Sequence, residues 1–128
     1  MSYGERAIRS FTDLNTWKAA HEIRKDIYKL IEKLPPSEKF NLTPQLRRAA
    51  TSIAANIAEG YGRFHYKENI QYCRQARGSL EEVRDGILFA KEIGLLPETD
   101  CRNILERITA CRQLLNGYIR SLNSRKPA

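Results

Sequence analysis

The sequence predicts an all-α fold, an antiparallel up-down-up-down four-helix bundle. Three observations predict it. Apolar residues recur at helical spacing over four long segments. The prolines and glycines (5 and 7 in 128 residues) fall mostly between those segments. The connections are short, roughly three to nine residues, which makes consecutive helices antiparallel neighbours. A chain of 128 residues reads as one domain, long enough to bury a core without disulfides or metals. Apolar residues at 41% and charged residues at 29% are ordinary for a globular protein. No internal repeat, low-complexity tract or linker interrupts it. Residues 1–10 read as a loose arm carrying Arg6 and Arg9, 11–123 as the bundle and 124–128 as a basic tail.

The first helix is expected from about Leu14 to Leu34. Thr12 or Asp13 can cap it, and Phe11 stands where a staple residue packs. Leu14, Trp17, Ala20, Ile27, Ile31 and Leu34 keep the helical period, with Ile23, Tyr28 and Leu30 widening the stripe. Trp17 reads as a core anchor rather than a base-stacking residue. His21 has no second ligand one turn on and reads as a surface or internally satisfied histidine. Pro35-Pro36 stops the helix and opens a loop to Asn41.

The second helix is expected from Thr43, as N-cap, to about Gly60, with Pro44 at the first helical position. Leu46, Ala49, Ala50, Ile53, Ile57 and Ala58 mark its buried face, and Gly60 or Gly62 can take a left-handed conformation past its end. Alanines on more than one side (Ala49, Ala50, Ala54, Ala55, Ala58) imply burial on two faces or against another subunit. Arg48, Ser52, Asn56 and Glu59 form a polar row along it. Residue types favour a network that fixes helix register over a partner site.

The third helix is expected from about Tyr66 to Ile93, with the stripe Ile70, Cys73, Ala76, Leu80, Val83, Ile87 and Ala90. Gly78 and Gly86 inside it imply close helix crossings, since a mid-helix glycine otherwise costs ~1 kcal/mol relative to alanine. Gly94 ends it. Pro97-Glu98 opens the fourth helix, which runs to about Asn123 with Ile104, Ile108, Cys111, Leu115, Tyr118 and Leu122 inward and Leu105, Leu114 and Ile119 beside them.

Function classes can be narrowed. Cys73, Cys101 and Cys111 lack metal-ligand spacing, His21 and His65 are isolated, and no Walker loop, dinucleotide fingerprint or nucleophile elbow is present. Glu81, Glu82 and Asp85 read as a solvated acidic face or as partners for Arg47 and Arg48, rather than a catalytic pair. An odd, widely spaced cysteine set without a secretory leader reads as reduced thiols in the cytoplasm. No apolar run approaches the ~18 residues of a membrane span. The net charge is +7, from 22 Lys and Arg against 15 Asp and Glu, and no acid follows Glu106 while Arg107, Arg112, Arg120, Arg125 and Lys126 do. Such an excess points toward a polyanionic partner.

Several motifs stand in order: Asp13-Leu14-x-x-Trp17-Lys18-Ala19, Tyr28, Leu34-Pro35, Leu42-Thr43-x-Gln45-Leu46-Arg47-Arg48-Ala49, Ser52-Ile53-x-x-Asn56-Ile57-Ala58-Glu59-Gly60 and Gly78-Ser79-Leu80-x-Glu82. On these the chain resembles the four-helix-bundle proteins encoded in intervening sequences of bacterial 23S rRNA genes. That family is related to the accessory variability protein of diversity-generating retroelements. Arg77 and Val83 depart mildly from the pattern. The resemblance implies a four-helix bundle that assembles into a ring-like homopentamer and has no established catalytic activity; no cofactor is expected. For the retroelement branch it implies nucleic-acid binding and docking on a reverse transcriptase.

The leading expectation is therefore a non-enzymatic, oligomeric bundle that binds RNA or DNA through phosphate contacts. Arg47, Arg48, Arg63, Lys67, Arg74, Arg112 and Arg120 are the candidate contacts. The alternative is a protein-interaction scaffold that docks a partner such as a reverse transcriptase. A minor nuclease activity ranks third, because the acidic cluster lacks a convincing site.

Overall fold

The computed structural model describes residues 7–125. Among them stand four α-helices and no strand: α1 Asn15–Leu30, α2 Leu42–Tyr61, α3 Tyr66–Glu92 and α4 Glu98–Arg125. Each packs on two others, α1 on α2 and α4, and α3 on α2 and α4, around one core. The predicted stripes fill it. Ala20, Ile23, Ile27, Leu46, Ile53, Ile57, Cys73, Leu80, Val83, Ile87, Ile108, Cys111 and Leu115 are all buried. Tyr28 and Leu114, expected to widen their stripes, are instead exposed at the edges. The alanines of α2 find their reason within the chain. Ala50 and Ala54 are fully buried because α2 sits between α1 and α3, whereas Ala55 faces outward.

Helix ends differ from expectation in instructive ways. Thr12 and Asp13 do not cap α1; they lie in a separate 3-10 turn, Phe11–Asp13. Ser10 caps that turn, accepting from the Thr12 N–H at 3.2 Å, and the Asp13 carboxylate accepts from the Ser10 N–H at 3.2 Å. Leu14 is then extended, so α1 starts without a side-chain cap. Phe11 still packs as a staple would, edge-on to Trp17 with ring centroids 5.2 Å apart. Trp17 is partly buried against the core and stacks on His21, which accepts from the Arg24 guanidinium at 2.8 Å.

At its other end α1 tightens into a 3-10 turn, Ile31–Lys33, before an extended Leu34. Pro35 enforces that break, because its ring excludes helical backbone at the residue before it. The following loop contains a further 3-10 turn, Pro36–Glu38. α2 begins at Leu42, so Thr43 is inside the first turn and is not the N-cap. The capping role passes to Glu38, whose carboxylate accepts from the Leu42 N–H at 3.3 Å. Pro44 remains in the first turn, where its missing N–H costs no helical bond.

The glycines sort by what surrounds them. Gly60 lies inside α2, buried, and Gly62 ends the helix with ordinary helical φ, so neither takes the left-handed conformation expected of them. Only Gly94, after α3, has positive φ among the described residues, at 76°. A Cβ on Gly60 would stand 2.7 Å from Asn69 Oδ1 and 3.0 Å from the Asn69 carbonyl oxygen, so α2 meets α3 there at backbone distance. A Cβ on Gly86 would stand 2.7 Å from Leu46 Cδ2, confirming the close crossing expected at that position. Gly78 faces open space, and the crossing expected there is absent.

The three cysteines are free and buried. Burial pushes the Cys73 and Cys111 thiols up to about 11 and raises Cys101 as well. Cys73 donates to Asn69 Oδ1 at 3.6 Å, and Asn69 donates to the Tyr118 hydroxyl at 3.2 Å. These thiols are core side chains.

Two outcomes follow from this packing. Gly60→Ala is expected to destabilise the protein by ~1–3 kcal/mol through overpacking, while Gly78→Ala stabilises it by up to ~1 kcal/mol, both read as shifts in thermal midpoint. At about pH 8, where a free thiol is partly ionised, a thiol-reactive dye is expected to leave the native cysteines untouched and to titrate all of them in denaturant. Because the folded pKa of Cys73 and Cys111 lies above the ordinary 9.0, their contribution to stability is whole below pH 9 and is lost as pH rises through about 11. Denaturant midpoints measured across that range check the sign.

Candidate nucleic-acid interface

The polar row on α2 is spent on packing. Asn56 Nδ2 donates to both the carbonyl and the hydroxyl of Ser52, each at 2.9 Å. The Ser52 hydroxyl lies 2.8 Å from that of Ser79 on α3. Two small hydroxyl side chains can meet this way only where backbones are close, so the pair pins the register of α2 on α3. Glu59 accepts from Arg63 at 2.8 Å, while Arg48 stands 3.9 Å from Glu82, both partly in water. Pairs of that kind contribute ~0–1 kcal/mol.

The candidate cations divide into separate groups. Lys67 and Arg74 lie seven residues apart on one side of α3. Arg74, Arg77 and Glu81 follow one another at spacings of three and four, and Arg112, Asn116 and Arg120 do so along α4 at spacings of four. The two rows meet across the α3–α4 seam. Arg77 donates to Asn116 Oδ1 at 2.9 Å and Arg112 to Glu81 Oε2 at 2.7 Å. Lys67, Arg74, Arg112 and Arg120 are thus brought to one side of the molecule.

Arg47 and Arg48 lie elsewhere, beside a cleft between α1 and α2. The Arg47 guanidinium sits 5.8 Å over the Tyr28 ring. Arg63 stands apart from both groups at the end of α2. It donates to Glu59 and, at 2.6 Å, to the Tyr72 hydroxyl, and lies 4.8 Å over the Tyr72 ring.

These partners decide which cations remain for a ligand. Arg112 is engaged with Glu81, and Arg107, one of the basic residues after Glu106, is engaged with Asp26. Lys33 pairs with Asp100 at 2.7 Å in the same α1–α4 groove. Lys67, Arg74 and Arg120 are exposed and make no ion pair or side-chain hydrogen bond among the described residues. Arg77 was not among the candidates, although its place three residues after Arg74 on a helix puts it beside that residue. Arg6 and Lys126 fall outside the described residues.

Among the described residues, no three His, Cys, Asp or Glu side chains gather where a metal ion could be held. No described helix is long and apolar enough to cross a membrane. A family model described as 23S rRNA-intervening sequence protein matches residues 12–117. Among solved structures, the chain is similar to a 1.70 Å crystal structure of a protein with unknown function from the S23 ribosomal protein family of Bacteroides thetaiotaomicron VPI-5482. The TM-score is 0.76 at 22% identity, over 81% of this chain and 97% of that one, a likeness of fold. No curated protein matches the chain.

Proposed function

This chain belongs to the 23S rRNA-intervening sequence protein family, and from that premise we propose that it is a non-enzymatic, oligomeric bundle that binds RNA or DNA mainly through phosphates. The observation that carries the reading is the trio Lys67, Arg74 and Arg120 beside the α3–α4 seam, exposed and uncommitted to any acid among the described residues. Arg77 and Arg112, cross-linked over the same seam, hold the two helices that present the trio. A row of exposed cations along two rigid helices suits a phosphate backbone, and it binds with little sequence preference. The net charge of +7 supports it.

The helices run up-down-up-down in this reading. Across α2–α3, residue 46 meets 86, 52 meets 79 and 60 meets 69, and across α1–α4, residue 16 meets 114 and 26 meets 107. Sequence numbers that rise on one helix as they fall on its neighbour support antiparallel pairs. The ring-like homopentamer implied by the resemblance is part of the same proposal, as is a cytoplasmic location. A second reading, a scaffold that docks a partner such as a reverse transcriptase, is favoured by one observation. Phe40, Phe64, Phe89 and Ile93 are exposed, at 84%, 90%, 51% and 53%. Large apolar side chains left in water mark candidate protein contacts.

Anisotropy titrations of structured RNA and of duplex DNA are expected to show binding at roughly 50 mM salt that weakens steeply by roughly 200 mM. Lys67→Gln, Arg74→Gln and Arg120→Gln together are expected to lower affinity for all sequences and to flatten the salt slope by about one per residue removed. Failure of the wild-type protein to bind either nucleic acid at the lower salt overturns the reading and leaves the scaffold. A light-scattering mass of a single chain overturns the oligomer.

A further inference from the structure

We propose that the cleft between α1 and α2 is a stacking site for an unpaired nucleotide, built on Tyr28 and Arg47. This rests on the nucleic-acid reading above and names the form of nucleic acid this second face takes. An aromatic residue in a helix stripe ordinarily turns inward to bury its ring. Tyr28 remains 45% exposed, and its hydroxyl takes no partner among the described residues. The Arg47 guanidinium lies 5.8 Å over its ring. Pro44, Arg48, Thr51 and Ser52 complete the cleft, whose volume is about 520 Å³.

The chemistry of the lining selects the occupant. It offers two guanidinium groups and the Thr51 hydroxyl, and no carboxylate. Glu82, which stands 3.9 Å from Arg48, is not part of the lining. An anion is therefore favoured and a cation is not. The exposed ring and the guanidinium over it add a flat apolar surface that a free phosphate or carboxylate would leave unused. A nucleotide uses both: its base stacks on the Tyr28–Arg47 pair while its phosphate accepts from Arg48 and Thr51. A base inside a duplex is already stacked on its neighbours and cannot reach the ring, so the site takes single strands or loops. Because every base has a π face, it takes them with little sequence preference.

The test compares ~12-nucleotide labelled single strands, RNA and DNA, with a blunt-ended duplex of equal length. Tyr28→Ala is expected to weaken both single strands about tenfold and the duplex less than about twofold, whereas Tyr28→Phe binds as the wild type does. Tyr28→Leu, which keeps apolar bulk and should fold even if the alanine variant does not, is expected to behave as Tyr28→Ala. A 4-thiouridine strand irradiated on the wild-type protein is expected to cross-link at Tyr28. Unchanged single-strand affinity in Tyr28→Leu, an equal loss on the duplex, or cross-links confined to α3 and α4 overturns the stacking site and leaves phosphate binding standing. Absence of wild-type binding to every probe overturns both.

Discussion

The structure depends on how closely α2 and α3 approach each other. At one end Gly60 lets the α2 backbone rest on Asn69, with room for no side-chain carbon. At the other, Gly86 of α3 receives the buried side chain of Leu46. Between them the Ser52 and Ser79 hydroxyls meet at 2.8 Å, with Asn56 bonded behind. These contacts sit at different heights, so sliding one helix along the other would break all of them together. Interiors are packed densely enough that such a slip would open voids as well as leave hydroxyls unsatisfied. α1 and α4 then close the core over the surface that this pair provides.

That close pairing also governs where charge can act. α3 carries Lys67, Arg74 and Arg77 on the side away from α2, toward α4, and Glu82 on the side near it. Glu81 neutralises Arg112, and Asp26 neutralises Arg107, so much of the basic run at the end of the chain holds helices together. The remaining cations are few and sit on rigid helices, so little backbone freedom is left to lose when a phosphate binds, and the cost that remains is the rotamer freedom of their uncommitted side chains. Elsewhere, Tyr28 of α1 and Arg47 of α2 pair beside a cleft. The molecule thus presents two chemically different cationic faces, one purely electrostatic and one with an aromatic floor.

Much of the fold was legible because helical periodicity depends on residues near in sequence. The core stripes of all four helices follow it, and the family motifs rest on the same residues. The ends were less legible. Thr12, Asp13 and Thr43 are good caps by residue type, yet α1 starts without a side-chain cap, Ser10 caps only the 3-10 turn before it, and Glu38 accepts from the first N–H of α2. Local turns compete for the same donors, and Pro35 reshapes the chain before the second helix begins. Gly60, Gly78 and Gly86 look alike in sequence and stand in three different environments, because what a glycine permits depends on the helix opposite.

The candidate site was legible as a list of cations and not as a surface. Spacing places Lys67 with Arg74, and Arg112 with Arg120, on shared sides of their helices. It cannot say that Arg112 is held by Glu81, that Arg63 is held by Glu59 and Tyr72, or that Tyr28 stays exposed beside Arg47. By itself the sequence determined the helical class, the core stripes and the family, since these follow from patterns along one chain. Only the tertiary structure decided which charges are spent and which remain free, because an ion pair depends on distances between helices that no spacing along a single helix encodes.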